Sequence, residues 1–298
     1  MTFGQSTNPS QLPTRPFKAG VELSVVGMGG IVVMDETPEH AGAAVAKAVE
    51  RGVNYFDVAP SYGNAEERLG PALEPFRKKC FLAGKTEQRV AAGAREELKT
   101  SLGRLHTDYL DLYQLHALTD VKKDVDAAFA KGGVMEVLVE AKKQGQVRYL
   151  GFSAHSVEAA VAAMDRFDFD AVVFPVNFAT FYQGKLGDQI IAKAREKGVA
   201  RMALKSLARQ KYADRRDPEQ KKFPKCWYQP VTDPHEQELA VRFTLSQDVA
   251  SLLPPGDEGL FWRAVEIAMT HRSLDEKEMG EVKAMAERAN PVFKFPMA

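Results

Sequence analysis

Four polar side chains stand at or just beyond the ends of apolar runs in this sequence. Asp57 closes NYFDVA, Tyr62 follows it in the next loop, Lys85 closes CFLAGK and His116 closes YLDLYQLH. A carboxylate, a phenol, an ammonium and an imidazole brought together can transfer a proton. The lysine charge lowers the pKa of a neighbouring tyrosine from its ordinary value of about 10, and the carboxylate holds the lysine. Strand alternation points Asp57 the same way as Val53 and Tyr55, Lys85 the same way as Phe81 and Ala83, and His116 the same way as Leu110, Leu112 and Gln114. Taken singly, each has an ordinary reading as well: a structural Asp57–Lys85 ion pair, a loop aromatic, a core histidine.

The elements that must position these groups are legible as an alternation. Runs rich in Val, Leu, Phe and Tyr predict strands over 54–58, 80–85, 110–116, 147–153, 171–176, 200–205 and 249–253, with one more near 23–27. Between them the pattern predicts helices over 39–50, 89–105, 125–144, 156–165, 185–197 and 234–246, the first opened by Thr37 as cap and Pro38 in the first turn. Eight strands alternating with helices predict a (β/α)8 TIM barrel, in which functional side chains project from the C-terminal strand ends. A doubly wound sheet is the rival, but Gly27, Gly29 and Gly30 lack the spacing of a dinucleotide-binding turn. No shift in composition marks a boundary, so one domain is expected over 1–298, with 1–16 a flexible extension, 274–290 an added C-terminal helix and 291–298 an apolar strip packing on the barrel. Residues 206–233 read either as a lid or as a solvated loop with one short helix.

Forty basic and forty acidic residues cancel, which removes the electrostatic reason to expect nucleic acid or an anionic membrane as partner. Cys80 and Cys226 form no Cys-x-x-Cys pair, so neither a disulfide framework nor a thiolate metal site is expected. The polar, proline-rich start lacks the pattern of a secretory signal, and the expected location is the cytoplasm. Oligomeric state is not legible.

As a set, the stretches GVNYFDVAPSYGNAEERLG, FLAGKT and LGRLHTDYLDLYQLH resemble the signature regions of the aldo-keto reductases, in the same order. FKAGVELSVVGMGG resembles that family's N-terminal hairpin and first strand, and GQVRYLGFS its fifth strand, so the resemblance runs from about Phe17 to Val176. It implies a barrel with nicotinamide across its mouth, a tetrad of Asp57, Tyr62, Lys85 and His116, and reduction of a small-molecule carbonyl to an alcohol, or the reverse. Tyr62 is then the general acid, His116 orients the substrate oxygen, Lys85 stabilises the charge, and no metal is needed.

For the cofactor, the resemblance assigns Ser153 to the nicotinamide carboxamide, with Ala154 in place of the usual asparagine and His155 as its substitute. Val173 and Leu204 stand where the family has a glutamine and a stacking aromatic, and Asn177 is kept. After the last strand Gly256 fits the turn, but Asp257 and Glu258 repel the 2′-phosphate of NADP(H), leaving Arg263 and Lys205 as its cations. NADP(H) is the family norm, and the acidic pair makes NAD(H) the competing expectation, since carboxylates accept from a free 2′-hydroxyl in other folds. Met28, Phe223, Trp227 and Tyr228 are the candidate substrate walls. A nucleotide-binding regulatory subunit and a decayed homologue are the alternative functions.

Overall fold

The computed structural model describes residues 11–214, 217–270 and 272–296. It opens on a hairpin of β1 (Thr14–Lys18) and β2 (Val21–Ser24). The barrel strands follow: β3 (Met28–Gly29), β4 (Tyr55–Asp57), β5 (Phe81–Thr86), β6 (Leu110–Leu118), β7 (Val147–Ala154), β8 (Ala171–Pro175) and β9 (Ala200–Leu204). A short antiparallel pair, β10 (Ala208–Gln210) and β11 (Gln229–Pro230), precedes the last barrel strand, β12 (Ser251–Leu253).

All eight barrel strands are parallel, in the order β12-β9-β8-β7-β6-β5-β4-β3. A parallel bridge between Val26 and Leu252 joins the two ends, with Gly27 N–H donating to Leu252 O at 2.9 Å and Leu252 N–H to Val25 O at 3.0 Å. The backbone must pass close to Tyr55 there: a Cβ on Gly27 would sit 2.4 Å from the tyrosine ring. Two apolar layers result. Leu23, Tyr55, Phe81, Ala83, Leu112, Val173 and Met202 fill the barrel interior, while a larger cluster packs the outer strand faces against the helices. The hairpin plugs the lower end, where Phe17 meets the edges of Phe81 and Tyr149 at 5.0 and 5.3 Å.

The helices start where their caps dictate. Thr37 accepts from His40 N–H ahead of Pro38–Glu50, Ser156 from Ala159 N–H ahead of Val157–Arg166, and Asp233 from His235 and Glu236 N–H ahead of Pro234–Ser246. A reciprocal Asp275–Glu278 capping box opens the added C-terminal helix Glu276–Glu287. Among the described residues no helix is long and apolar enough to cross a membrane.

Several expectations are corrected. The segment near 23–27 divides: Leu23 and Ser24 belong to β2, Val26 and Gly27 pair with Leu252 at the barrel seam, and pairing with β4 begins at Met28. The helix expected over 125–144 is broken, because Gly132 takes a left-handed φ of 76° and a new helix starts at Val134. Helices Ala65–Leu73 and Glu258–Met269 arise where none was expected. Within 206–233 the short helix Pro218–Lys222 is joined by the β10–β11 pair. Of the extension expected over 1–16, residues 1–10 lie outside the described residues, whereas Thr14, Arg15 and Pro16 are in β1. The C-terminal strip does pack inward through Val292 and Phe293, its last two residues lying outside the described ones.

Candidate active site

Strand alternation carries the interior layer upward to polar ends: Tyr55 then Asp57 on β4, Phe81 and Ala83 then Lys85 on β5, Leu112 then Gln114 and His116 on β6. Val53 and Leu110 depart from this alternation and join the outer layer. Asp57, Tyr62, Lys85 and His116 all line one cavity of about 170 Å3 at the C-terminal ends of the strands. A larger groove of about 410 Å3 lies outside the barrel, between the helices Ala91–Arg104 and Val134–Lys143, but no such set of groups converges there.

Asp57 is held on both oxygens. Its Oδ1 is ion-paired with Lys85 Nζ, while its Oδ2 accepts from Gln114 Nε2 at 3.0 Å and Tyr55 OH at 3.1 Å. Burial works to lower the Lys85 pKa, but Asp57 and Tyr62 outweigh it and hold the ammonium above its ordinary value. That ammonium lies 5.0 Å from the centre of the Tyr62 ring, and the His116 ring meets Tyr62 edge-on at 5.7 Å. The expected lowering of the Tyr62 pKa is corrected: burial, the larger effect, raises it despite Lys85. Burial and the cations Lys85, Lys205 and Arg89 pull His116 down to about 3, so it is neutral at pH 7. Its buried Nδ1 lies 3.3 Å from Glu87 Oε1 without hydrogen-bond alignment.

Ser153 also lines the cavity; its Oγ accepts from Ala117 N–H at 2.8 Å, which leaves its own proton to donate. His155 lies flat on Phe293, 4.4 Å between ring centres, with Nε2 3.5 Å from Lys205 Nζ. Burial, Lys205 and His116 keep it neutral. Leu204, Lys205, Trp227, Tyr228 and Gly256 complete this side of the cavity.

The remaining expected residues are not among those lining it. Asn177 is a brace: its Oδ1 accepts from Thr180 N–H, and its Nδ2 donates to Lys205 O at 3.1 Å. Asp257 caps the helix Glu258–Met269, and Glu258 accepts from Trp262 Nε1 at 3.0 Å and pairs with His40 at 2.6 Å. Arg263 is turned to Pro234 O and Glu266. Met28 is a core residue, and Phe223 packs against the core. Val173 is likewise buried in the interior layer.

Gln114, Tyr55 and Lys225 were not assigned roles from sequence. The alternation that marks His116 also marks Gln114, whereas nothing local distinguishes Lys225. Its ammonium reaches Val32 O at 2.9 Å and Glu36 Oε1 at 2.7 Å, tying the stretch before β11 to the residues after β3. Both cysteines are buried, which pushes Cys80 up to about 11 and Cys226 to about 12, so neither is a thiolate at neutral pH.

These residues fit a nicotinamide in their donor set: the Ser153 hydroxyl and the His155 imidazole for a carboxamide, beside the tetrad.

A family model described as the aldo/keto reductase family matches residues 26–255. An aldo-keto reductase of Mycobacterium avium is 30% identical over 54% of this chain and 55% of its own length. A methylglyoxal reductase of Escherichia coli is 32% identical over 46% of this chain and 48% of its own. The chain thus spans about half the length of these curated relatives. A solved aldo-keto reductase from Bacillus halodurans, in its holo form, superimposes with a TM-score of 0.71 at 22% identity, covering 95% of this chain and 98% of that one, a likeness of fold.

Proposed function

The chain belongs to the aldo/keto reductase family, whose members are oxidoreductases of small carbonyl compounds, and on that premise we propose that it reduces an aldehyde or ketone with NAD(P)H, Tyr62 being the general acid. The observation that carries this reading is the convergence, in one cavity, of Tyr62 with a buried Lys85 ammonium whose charge is paired by Asp57.

A bound reduced nicotinamide supplies the hydride. Ser153 and His155 would hold its carboxamide. The substrate oxygen sits against Tyr62 and His116. Because burial raises its pKa, Tyr62 is a full phenol at neutral pH and has a proton to give. As negative charge grows on the carbonyl oxygen, the Tyr62 O–H proton passes to it, and Lys85 stabilises the phenolate left behind. Tyr55 and Gln114 fix Asp57, which fixes Lys85. His116, uncharged, orients the oxygen without competing as an acid.

NADP(H) is the family norm. The specific observation favouring NAD(H) is the pair of carboxylates, Asp257 and Glu258, opening the last barrel helix with Arg263 engaged elsewhere. Tyr62→Phe tests the central claim. Cofactor titration followed by fluorescence should give binding in both proteins, while carbonyl-dependent oxidation of the cofactor falls at least about 100-fold in the variant. A wild-type protein that binds cofactor and turns over no carbonyl would instead favour a regulatory subunit, and one that binds no cofactor a decayed pocket.

A further inference from the structure

Three lysines line the cavity, and two of them are already neutralised: Lys85 by Asp57 and Lys225 by Glu36. Lys205 differs. Among the described residues no carboxylate pairs with it, and the only charged group acting on it is another cation, Lys85. Its ammonium stands 3.5 Å from the neutral His155 Nε2 and 5.5 Å from the ring centres of both Trp227 and Phe293. Among the described residues, the cavity lining therefore carries one cation without a counter-charge.

The backbone commits itself to this placement. Lys205 takes a left-handed φ of 62°, unfavourable for a residue with a side chain. Lys205 N–H donates to Leu253 O at 3.0 Å, and Lys205 O accepts from Asn177 Nδ2 at 3.1 Å and Ala208 N–H at 2.9 Å. Three elements thus hold a conformation whose effect is to project a cation into the cavity. The same charge helps to depress His116, which places its field on the groups that face the carbonyl.

We propose that Lys205 is the anion-binding residue of the substrate site, and that the carbonyl substrate is a short-chain oxo acid whose carboxylate pairs with the Lys205 ammonium while its carbonyl meets Tyr62 and His116. This rests on the reading of the tetrad as a carbonyl-reducing site. A cavity of about 170 Å3 suits a compact molecule, and a carboxylate supplies the missing counter-charge. The rings of Phe293 and the half-exposed Trp227 flank the ammonium, each centre 5.5 Å from it.

Two measurements on the full chain decide this. Succinate, titrated against the tryptophan emission that Trp227 contributes beside Lys205, should give a saturable change, weakened about tenfold in Lys205→Met and retained in Lys205→Arg. Binding should also weaken from pH 7 to pH 9: burial and Lys85 bring Lys205 down to about 8, while the facing His155 and His116 stay neutral and Lys85 stays charged. Separately, the ratio of kcat/KM for succinate semialdehyde over butanal should fall about tenfold in Lys205→Met. An absent succinate response, or one equal in wild type and Lys205→Met, overturns the proposal. So does an unchanged substrate ratio with lost NADPH affinity, which would assign the charge to a cofactor phosphate. If no carbonyl is reduced at all, the tetrad reading fails and succinate binding alone judges Lys205.

Discussion

Lys85 and Asp57 form an ion pair in which both side chains are almost wholly removed from solvent, 1% and 3% exposed. Removing one member of such a pair strands the other charge, which costs about 3–5 kcal/mol, whereas removing both forfeits far less. Lys85→Met is therefore expected to lower unfolding free energy by that amount, and Lys85→Met combined with Asp57→Asn to recover most of it. Urea denaturation of the two singles and the double gives the coupling energy. Equal losses in Lys85→Met and the double would mean that the pair is not buried as described.

His116 ties stability to pH. Its folded pKa is about 3, against an unfolded value near 6.5. Above the unfolded value neither state binds the proton and the group contributes nothing to the slope. As pH falls, the unfolded chain takes up a proton that the folded one refuses, so stability is lost between about 6.5 and 3, by up to roughly 5 kcal/mol. His116→Gln should flatten that stretch of the pH–stability curve, most clearly from pH 6.5 to 5, where few carboxylates titrate. Parallel curves for wild type and variant across that interval would contradict the depressed pKa.

Much of this site was legible because the same two-residue alternation recurs in three neighbouring strands. Alternation within β4, β5 and β6 sends Tyr55 and Asp57, Ala83 and Lys85, Leu112 and Gln114 to one side, so residues far apart in sequence could be assigned to one cavity. What was not legible depends on long-range closure. The start of the first strand was set too early because the Leu23 region is apolar for a different reason: it plugs the barrel floor as part of a hairpin. The Tyr62 pKa was misjudged because a sequence shows the neighbouring lysine but not the burial that outweighs it. The capping by Asp257 and the contact of Glu258 with His40 were not legible either, because both depend on the helix Glu258–Met269 beginning there.

The placement of Glu258 bears on cofactor choice. Glu258 is ionised readily: burial opposes this, but Trp262 and His40 outweigh it and hold its pKa below the ordinary value. A fixed carboxylate repels a phosphate and tolerates a hydroxyl. Under the NAD(H) reading, Glu258→Gln should tighten NADPH about three- to tenfold, the effect of relieving one like-charge contact near the surface, and leave NADH nearly unchanged. Fluorescence titration of both nucleotides against both proteins checks this, and equal shifts for the two would place Glu258 away from the adenosine ribose.

The link from Lys225 to Val32 O and Glu36 ties the stretch before β11 to the residues after β3, in addition to the contacts of Gln210 with Asn290 and of Trp227 with Phe293. Trp227 and Tyr228, two and three residues further on, line the cavity, so the anchor positions that wall. A partly exposed pair of this kind contributes about 0.5–1 kcal/mol, enough to alter how often the segment lifts without unfolding the barrel. Lys225→Ala should therefore leave the unfolding midpoint within a few degrees of wild type while cofactor dissociation, followed by stopped-flow fluorescence, accelerates roughly two- to fivefold. The carbonyl oxygen of Val32 belongs to the backbone and remains, so Glu36→Gln, which keeps the Lys225 contact with Val32, should accelerate dissociation less than Lys225→Ala. If both variants release cofactor at the wild-type rate, bound cofactor does not lie beneath this segment and the anchor serves the apo fold alone.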